Sequence, residues 1–438
     1  MANDGIALGN ISSNPGLTSW IVEAAYVGFL LLVFIGLTPF AMRDTVDTAI
    51  GASGAAGAGD VLRQICYLAV FAIILAGTLA KRGISTFSAV PIWLAMLLVW
   101  CALTSLWAIE SDVALRRAGL EMIVVLSVML GVDTVGPERS LKLLCYVLIA
   151  VLIINWISIP LLPQAVHQPG DIEPEVVGDW RGLYFHKNIA GAACALSVLL
   201  FLYYAITEKA RLLYLAFAVA AFLFLLKTHS KSSLGLLPVA IAAAAIYRWG
   251  WRRDIDRLIV AVASLLLVVG IGTLIFVNHD AIVRALSDPE EFTGRAAIWQ
   301  GELAFIADHP LMGSGFGTFA DTGSLSPLHN YVGGWIRTVA QGHNGYIELA
   351  MTTGLIGFAL GLLALILIPA RIFWARADMD GGLKTLYFAF FVFFVLHNFM
   401  ESDFLDGDGV AWVTFLLMLA GLAAARNARN VTKSWPTA

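Results

Sequence analysis

Charge is scarce in this chain. Its 438 residues hold 27 Lys and Arg against 31 Asp and Glu, 13% of the whole, for a net charge of −4. A water-soluble chain of this size covers its surface with more charge than that, so a soluble globular domain is set aside. The small net charge singles out no partner, and no nucleic acid is expected among them. Cysteine is scarce too. Cys66, Cys101, Cys145 and Cys194 all sit inside apolar stretches. They lack metal-ligand spacing and loop positions, so they read as small apolar side chains and imply no disulfide framework. Internal repetition at a fixed period is also missing, which removes solenoid and propeller architectures.

What fills the chain instead is apolar sequence: 59% hydrophobic residues and a mean hydropathy of +0.81. A helix needs about 20 mostly apolar residues to cross a bilayer. Twelve stretches qualify, near 20–41, 61–80, 87–107, 117–135, 141–162, 188–206, 211–227, 233–249, 257–277, 345–370, 384–401 and 409–425. Helix is the default in lipid because the backbone must satisfy its own hydrogen bonds there. The expectation is an all-α, polytopic membrane protein forming a single unit over 1–438. The first span starts late, lacks a basic leader and is too long for a signal-peptide core.

Lys81, Arg82, Arg139, Lys142, Arg252, Arg253, Arg371 and Lys384 are among 16 of the 27 basic residues that fall in short connections and the tail on one side, and the other 11 are spread over much longer loops. This bias places both termini in the cytoplasm. Two longer connections then lie outside, at 163–187 and 278–342. The second is too long to be an idle connection. Within it, Thr293 could cap a helix whose apolar face is Ile298, Trp299, Leu303, Phe305 and Ile306, ended by Pro310. Such a helix suits the outer interface. The run GSGFG (313–317) lacks the strand and helix of a dinucleotide site and reads as a tight turn.

Several polar residues stand at the outer ends of these spans. Arg181 is either a headgroup anchor or an anion clamp, since guanidinium offers a planar fork to phosphate oxygens. His186 and Lys187 follow it at the mouth of the sixth span. Arg295 sits in the first turn of the loop helix, where a cation opposes the helix dipole, so an anion nearby would compensate: a phosphate or an acidic neighbour. His343 is an interfacial histidine or a general base. Asn344 and Glu348 share a helix face, as do His397 and Glu401. A carboxylate such as Glu348, a turn inside the membrane edge, should have a partner. Lys231 opens the eighth span and reads as a solvated lysine. Asp406 and Asp408 form a D-x-D-G run, too little for a calcium loop, and no metal site is expected.

The segments TGRAAIW (293–299), DHPLMGSGFGTF (308–319) and HNGYIELAMTTGLIG (343–357) resemble, in order and spacing, the O-antigen ligase and polymerase superfamily of bacterial envelope membrane proteins. The last fits a pattern of His-Asn, nine residues, then Gly-x-x-Gly. WRGLYFHKNIAG (180–191) resembles the segment before a central span in exopolysaccharide polymerases of that family. THSKSS resembles its Ser-Arg element with Lys231 in place of Arg, and HNFMES (397–402) its Asn-x-x-Glu-Ser. Ligases often follow the Gly-x-x-Gly with two Thr, where this chain has Phe358 and Ala359. A second His-Asn pair, His329–Asn330, lacks the downstream glycines.

The resemblance implies glycosyl transfer at the periplasmic face of the bacterial inner membrane. The donor would be an oligosaccharide on polyprenyl pyrophosphate, such as undecaprenyl pyrophosphate. Arg181 and Arg295 would clamp the pyrophosphate, helped by Lys231, and His343 would ready the acceptor hydroxyl. His186, Lys187, Asn344, Glu348 and Glu401 are substrate-binding candidates, and no cofactor is expected. The acceptor is either another lipid-linked repeat unit, for exopolysaccharide or O-antigen polymerisation, or the lipid A core of lipopolysaccharide, for ligation. A chain-length regulator is a conceivable partner. A transporter of lipid-linked sugars is the reading from another class. Transporters often bind at the midplane through repeats, however, and the charges here gather at one surface.

Overall fold

The computed structural model describes residues 17–41, 61–169, 174–250, 295–319, 322, 325–333, 342–375 and 379–433. The span expected at 257–277, the cap at Thr293 and most of the outer loop therefore lie outside the described residues. Helices dominate the rest: α1 (Leu17–Phe34), α2 (Val61–Arg82), α3 (Ile92–Leu103), α4 (Ser111–Val135), α5 (Pro137–Leu161), α6 (Lys187–Thr207), α7 (Arg211–Thr228), α8 (Lys231–Gly250), α9 (Arg295–Asp308), α10 (Gly345–Gly361), α11 (Gly381–His397) and α12 (Val410–Lys433). No strand occurs among the described residues; one isolated bridge pairs Val166 with Trp180. Seven helices are long and apolar enough to cross a membrane, and α1, α3, α11 and α12 are shorter apolar helices. The chain is an all-α polytopic membrane protein.

The bundle has two halves. α1, α2, α4 and α5 pack together, as do α6, α7, α8 and α11, and α12 lies between, touching α4, α5, α6 and α11. The small-residue run at the start of α6 (Ala190, Gly191, Ala192, Ala193) is buried. It lets α8 approach closely, so that a Cβ on Gly191 would strike Ser230. Aromatic side chains fill the core where α11 meets α12: Phe394 stacks on Phe415 with ring centroids 4.1 Å apart.

Charges are sorted to the two ends. At one end Arg139 meets Glu23 at 2.6 Å, Arg82 pairs with Asp133, and Lys142 holds Glu208 and Tyr214, both at 2.8 Å, over the Tyr204 ring. At the other end the starts of α2, α4, α6, α8 and α10 gather with the ends of α1 and α11. The connection from Asn398 to Gly409 knits this end together. Asn398 is fully buried and accepts from the amides of Asp403 and Phe404, while its own carbonyl takes the Gly345 N–H. Glu121 of α4 accepts from the Trp412 indole at 2.7 Å and the Gly407 amide at 2.9 Å.

α10 explains the spaced glycines. Gly354 leaves helical geometry, with φ +68 and ψ 176. A Cβ there would lie 2.0 Å from the Leu311 carbonyl oxygen. The break opens the helix to the 308–319 segment: Leu355 donates to Pro310, and Ser314 and Gly315 donate to the carbonyls of Met351 and Thr352. The GSGFG run is a turn, its three glycines all at positive φ. It docks on a helix rather than lying free on the surface.

Replacing Glu121 with Ala leaves two buried donors without an acceptor, at a cost of about 1–3 kcal/mol each. Thermal unfolding in lipid nanodiscs should show a lowered midpoint. An unchanged midpoint would mean that these bonds do not hold the Asn398–Gly409 connection in place.

Candidate active site

Four chain segments meet at Glu401. Its Oε1 accepts from the Asn188 amide at 2.8 Å and lies 3.3 Å from the Arg295 guanidinium, and its Oε2 lies 3.1 Å from His343 Nδ1. Arg295 also donates to the Met400 carbonyl. Glu401 is 7% exposed. Burial alone would raise the pKa of its carboxyl, but the His343 bond and the neighbouring charges of His343, Arg295 and His397 outweigh it and hold the group below the usual carboxylate range. A carboxylate kept ionised takes the proton-bearing side of the imidazole. In a neutral His343 imidazole, Nδ1 would then donate and Nε2 would carry the lone pair, the tautomer a general base requires.

Each member arrives for a local reason. His343 has φ +53, and this left-handed residue turns the chain into α10. Asn344 caps that helix, its side-chain oxygen accepting from Tyr346 and Ile347. Its amide faces the Phe399 carbonyl at 3.4 Å, so Asn344 serves the scaffold. Asn188 follows His186, which caps α6 by accepting the Asn188 amide at Nδ1. Arg295 opens α9 and meets Glu401; the acidic neighbours expected to compensate it, Asp288, Glu290 and Glu291, lie outside the described residues.

A cavity of about 470 Å³ opens beside this cluster. His343, Glu401, Asn188 and His186 line one part. Arg63, Tyr67, Asp403, Asp406 and Asp408 line another, and Leu32, Leu37 and Ile189 give it an apolar side. Two of its carboxylates are braced. Asp408 accepts from Tyr67 at 2.6 Å and pairs with Arg63. Asp403 accepts from His397 at 2.6 Å, and His397 Nε2 meets Ser233 at 3.1 Å. Asp406 lines the same cavity and is exposed.

The expected residues divide. Arg295, His343 and Glu401 come together. Arg181 does not join them: it is 1% exposed and donates to the carbonyls of Gln164, Ala41 and Phe185 at 2.7–3.0 Å. Its guanidinium is taken up by the backbone of two connections, and it holds the Leu183–His186 strip that lines the cavity. Lys187 is paired with Asp179 at 2.5 Å, and the same carboxylate meets His229. Lys231 is exposed at the first turn of α8 and does not line the cavity. Glu348 is half-buried a turn below Asn344. Arg63, Tyr67, Asn188 and Asp403 were not candidates on sequence grounds. Asp403 and Asp408 stood in the acidic run after α11, but their braces lie on distant helices.

Residues 215–362 match the family model described as O-Antigen ligase. That stretch contains Lys231, Arg295, His343, Asn344 and Glu348, and the match supports the resemblance to the O-antigen ligase and polymerase superfamily. No curated protein matches the chain.

The pH dependence of Glu401 has a definite sign. Its folded pKa lies below the unfolded value of about 4.3. The stability it contributes is therefore fully present above that value and is lost as pH falls through the folded one. The unfolding midpoints of the wild type and Glu401→Gln in nanodiscs should differ by a constant amount at neutral pH and converge in acid. A gap that persists undiminished in acid would contradict the assignment.

Proposed function

We propose that this protein joins sugars at the periplasmic face of a bacterial inner membrane. It would transfer a glycan from a polyprenyl-pyrophosphate carrier to the hydroxyl of another lipid-linked repeat unit and so polymerise the polysaccharide. The observation that carries the reading is the Glu401 junction: one ionised carboxylate holds both a guanidinium and an imidazole, and the carboxylate and the imidazole line a cavity.

The chemistry follows from those two groups. As the glycosidic bond to the carrier breaks, negative charge grows on the leaving diphosphate. A fixed cation aimed at that charge stabilises the transition state more than the ground state. Arg295 fills that role, fixed by Met400 and Glu401. His343, with its proton on Nδ1, takes the proton of the attacking hydroxyl at Nε2. Attack from the face opposite the leaving group inverts the anomeric carbon. Arg181 supports the cavity wall and leaves the anion to Arg295. The apolar side of the cavity suits the first isoprene units of the carrier. The braced carboxylates of Asp403 and Asp408 suit sugar hydroxyls, which donate to fixed acceptors.

A ligase differs only in its acceptor, the lipid A core. Two features favour the polymerase. The His186–Lys187–Asn188 segment of the polymerase-like motif sits at the site and touches Glu401 through Asn188. The two threonines of ligases are replaced by Phe358 and Ala359.

The test is bond formation by the purified protein in proteoliposomes, with lipid-linked repeat unit as donor and acceptor, with and without core lipid. His343→Ala should slow transfer by about 10²–10⁴-fold while leaving donor binding intact. Arg295→Ala should cost about 10²–10³-fold. Polymer yield that survives His343→Ala, with Arg295 changes blocking only lipid movement, would favour transport instead.

A further inference from the structure

One stripe of α9 faces the turn that carries His343. Arg295, Trp299 and Glu302 stand at i, i+4 and i+7, on one side of the helix. Arg295 reaches Glu401. Trp299 donates its indole N–H to the Gly342 carbonyl at 2.8 Å. Glu302 lies against Gly342 itself: a Cβ on that glycine would sit 2.1 Å from one carboxyl oxygen of Glu302 and 2.6 Å from the other. A side chain there would push the Glu302 carboxyl aside. The next residue, His343, is held in the left-handed region that a residue with a Cβ enters at a cost.

The proposed chemistry leaves Glu302 unused, yet it is 1% exposed, and among the described residues neither of its carboxyl oxygens has a hydrogen-bond partner. A carboxylate ion in such a place is far too costly, so the group stays neutral.

We propose that Glu302 is a positioning residue for His343: as the neutral acid its carboxyl packs on Gly342 and holds the left-handed turn that aims the imidazole, and its ionisation releases that turn. The proposal rests on the functional reading only for what His343 does. Burial first, and then the Glu348 carboxylate, push the pKa of Glu302 well above the usual carboxylate range. Among the described residues, the groups around it give no relief. α10 contributes Glu348, which repels. The turn contributes His343, beyond Gly342. The short helix Pro327–Asn330 and the residues after it meet the neighbouring Gly301 with Leu328 and Val332, while Tyr331 of that segment is bonded to Asp308. α9 itself brings Arg295 two turns away, engaged with Glu401. The sign follows. As pH rises, Glu302 loses its proton, an uncompensated charge appears between α9 and Glu348, and the 342–343 turn gives way.

The experiment needs no glycan. The full-length protein in nanodiscs is treated with diethyl pyrocarbonate, which acylates neutral imidazole, and modification of His343 is followed by mass spectrometry from acid to alkaline pH. In the wild type the His343 rate should change several-fold at a step on the alkaline side. Glu302→Gln, which keeps the shape and cannot ionise, should abolish that step. Gly342→Ala, made in the presence of Glu302, should alter the His343 rate several-fold already at neutral pH. The proposal is overturned if Glu302→Gln and wild type give superimposable profiles, or if Gly342→Ala leaves the rate at His343 unchanged. A protein that forms no glycosidic bond but keeps the alkaline step would sink the functional reading alone.

Discussion

One end of this bundle depends on a single buried carboxylate. Glu401 binds the start of α6 through Asn188, the start of α9 through Arg295 and the turn before α10 through His343. Each partner comes from a different part of the chain, and none could hold its place by local structure alone. The interaction is worth most because it is enclosed: a charged hydrogen bond away from water is stronger, and breaking it leaves an uncompensated charge. Under the proposed chemistry the same negative charge sets the imidazole tautomer and holds the guanidinium that would meet the leaving anion.

The membrane sets the other constraint. In lipid the backbone closes its own bonds within helices, so irregular chain survives only where protein covers it. Here that chain is concentrated at one end. The Asn398 connection is bonded into the start of α10, and the 308–319 segment is bonded into the break at Gly354. Both are built from main-chain bonds, which makes the site a rigid extension of the bundle.

The spans were legible because twenty apolar residues in a row leave a signal in one dimension, and eleven of the twelve fall on described helices. The loop helix was legible from Ile298, Phe305 and Pro310, but its inward face was only partly so, because Leu303 is exposed and Glu302 is buried. His343, Arg295 and Glu401 were found through the motif resemblance, because spacing alone left each with a plausible ordinary role. Arg181 shows the limit. A guanidinium that grips three carbonyls and one that grips a diphosphate look the same in sequence. The bracing pairs were equally hidden: Arg63 and Asp408 lie 345 positions apart and meet only in the fold. Glu302 carried no signal because its meaning is the lack of a partner, which only burial reveals.

The central claim is that Glu401 makes one catalytic unit of Arg295 and His343. The most direct measurement is a double-mutant cycle on the rate of glycosidic bond formation, pairing Glu401→Gln with Arg295→Lys and with His343→Gln. The account predicts strong non-additivity in both cycles, each double variant little slower than its worse single. Losses that simply multiply would show that the carboxylate does not couple the cation to the base, and would contradict it.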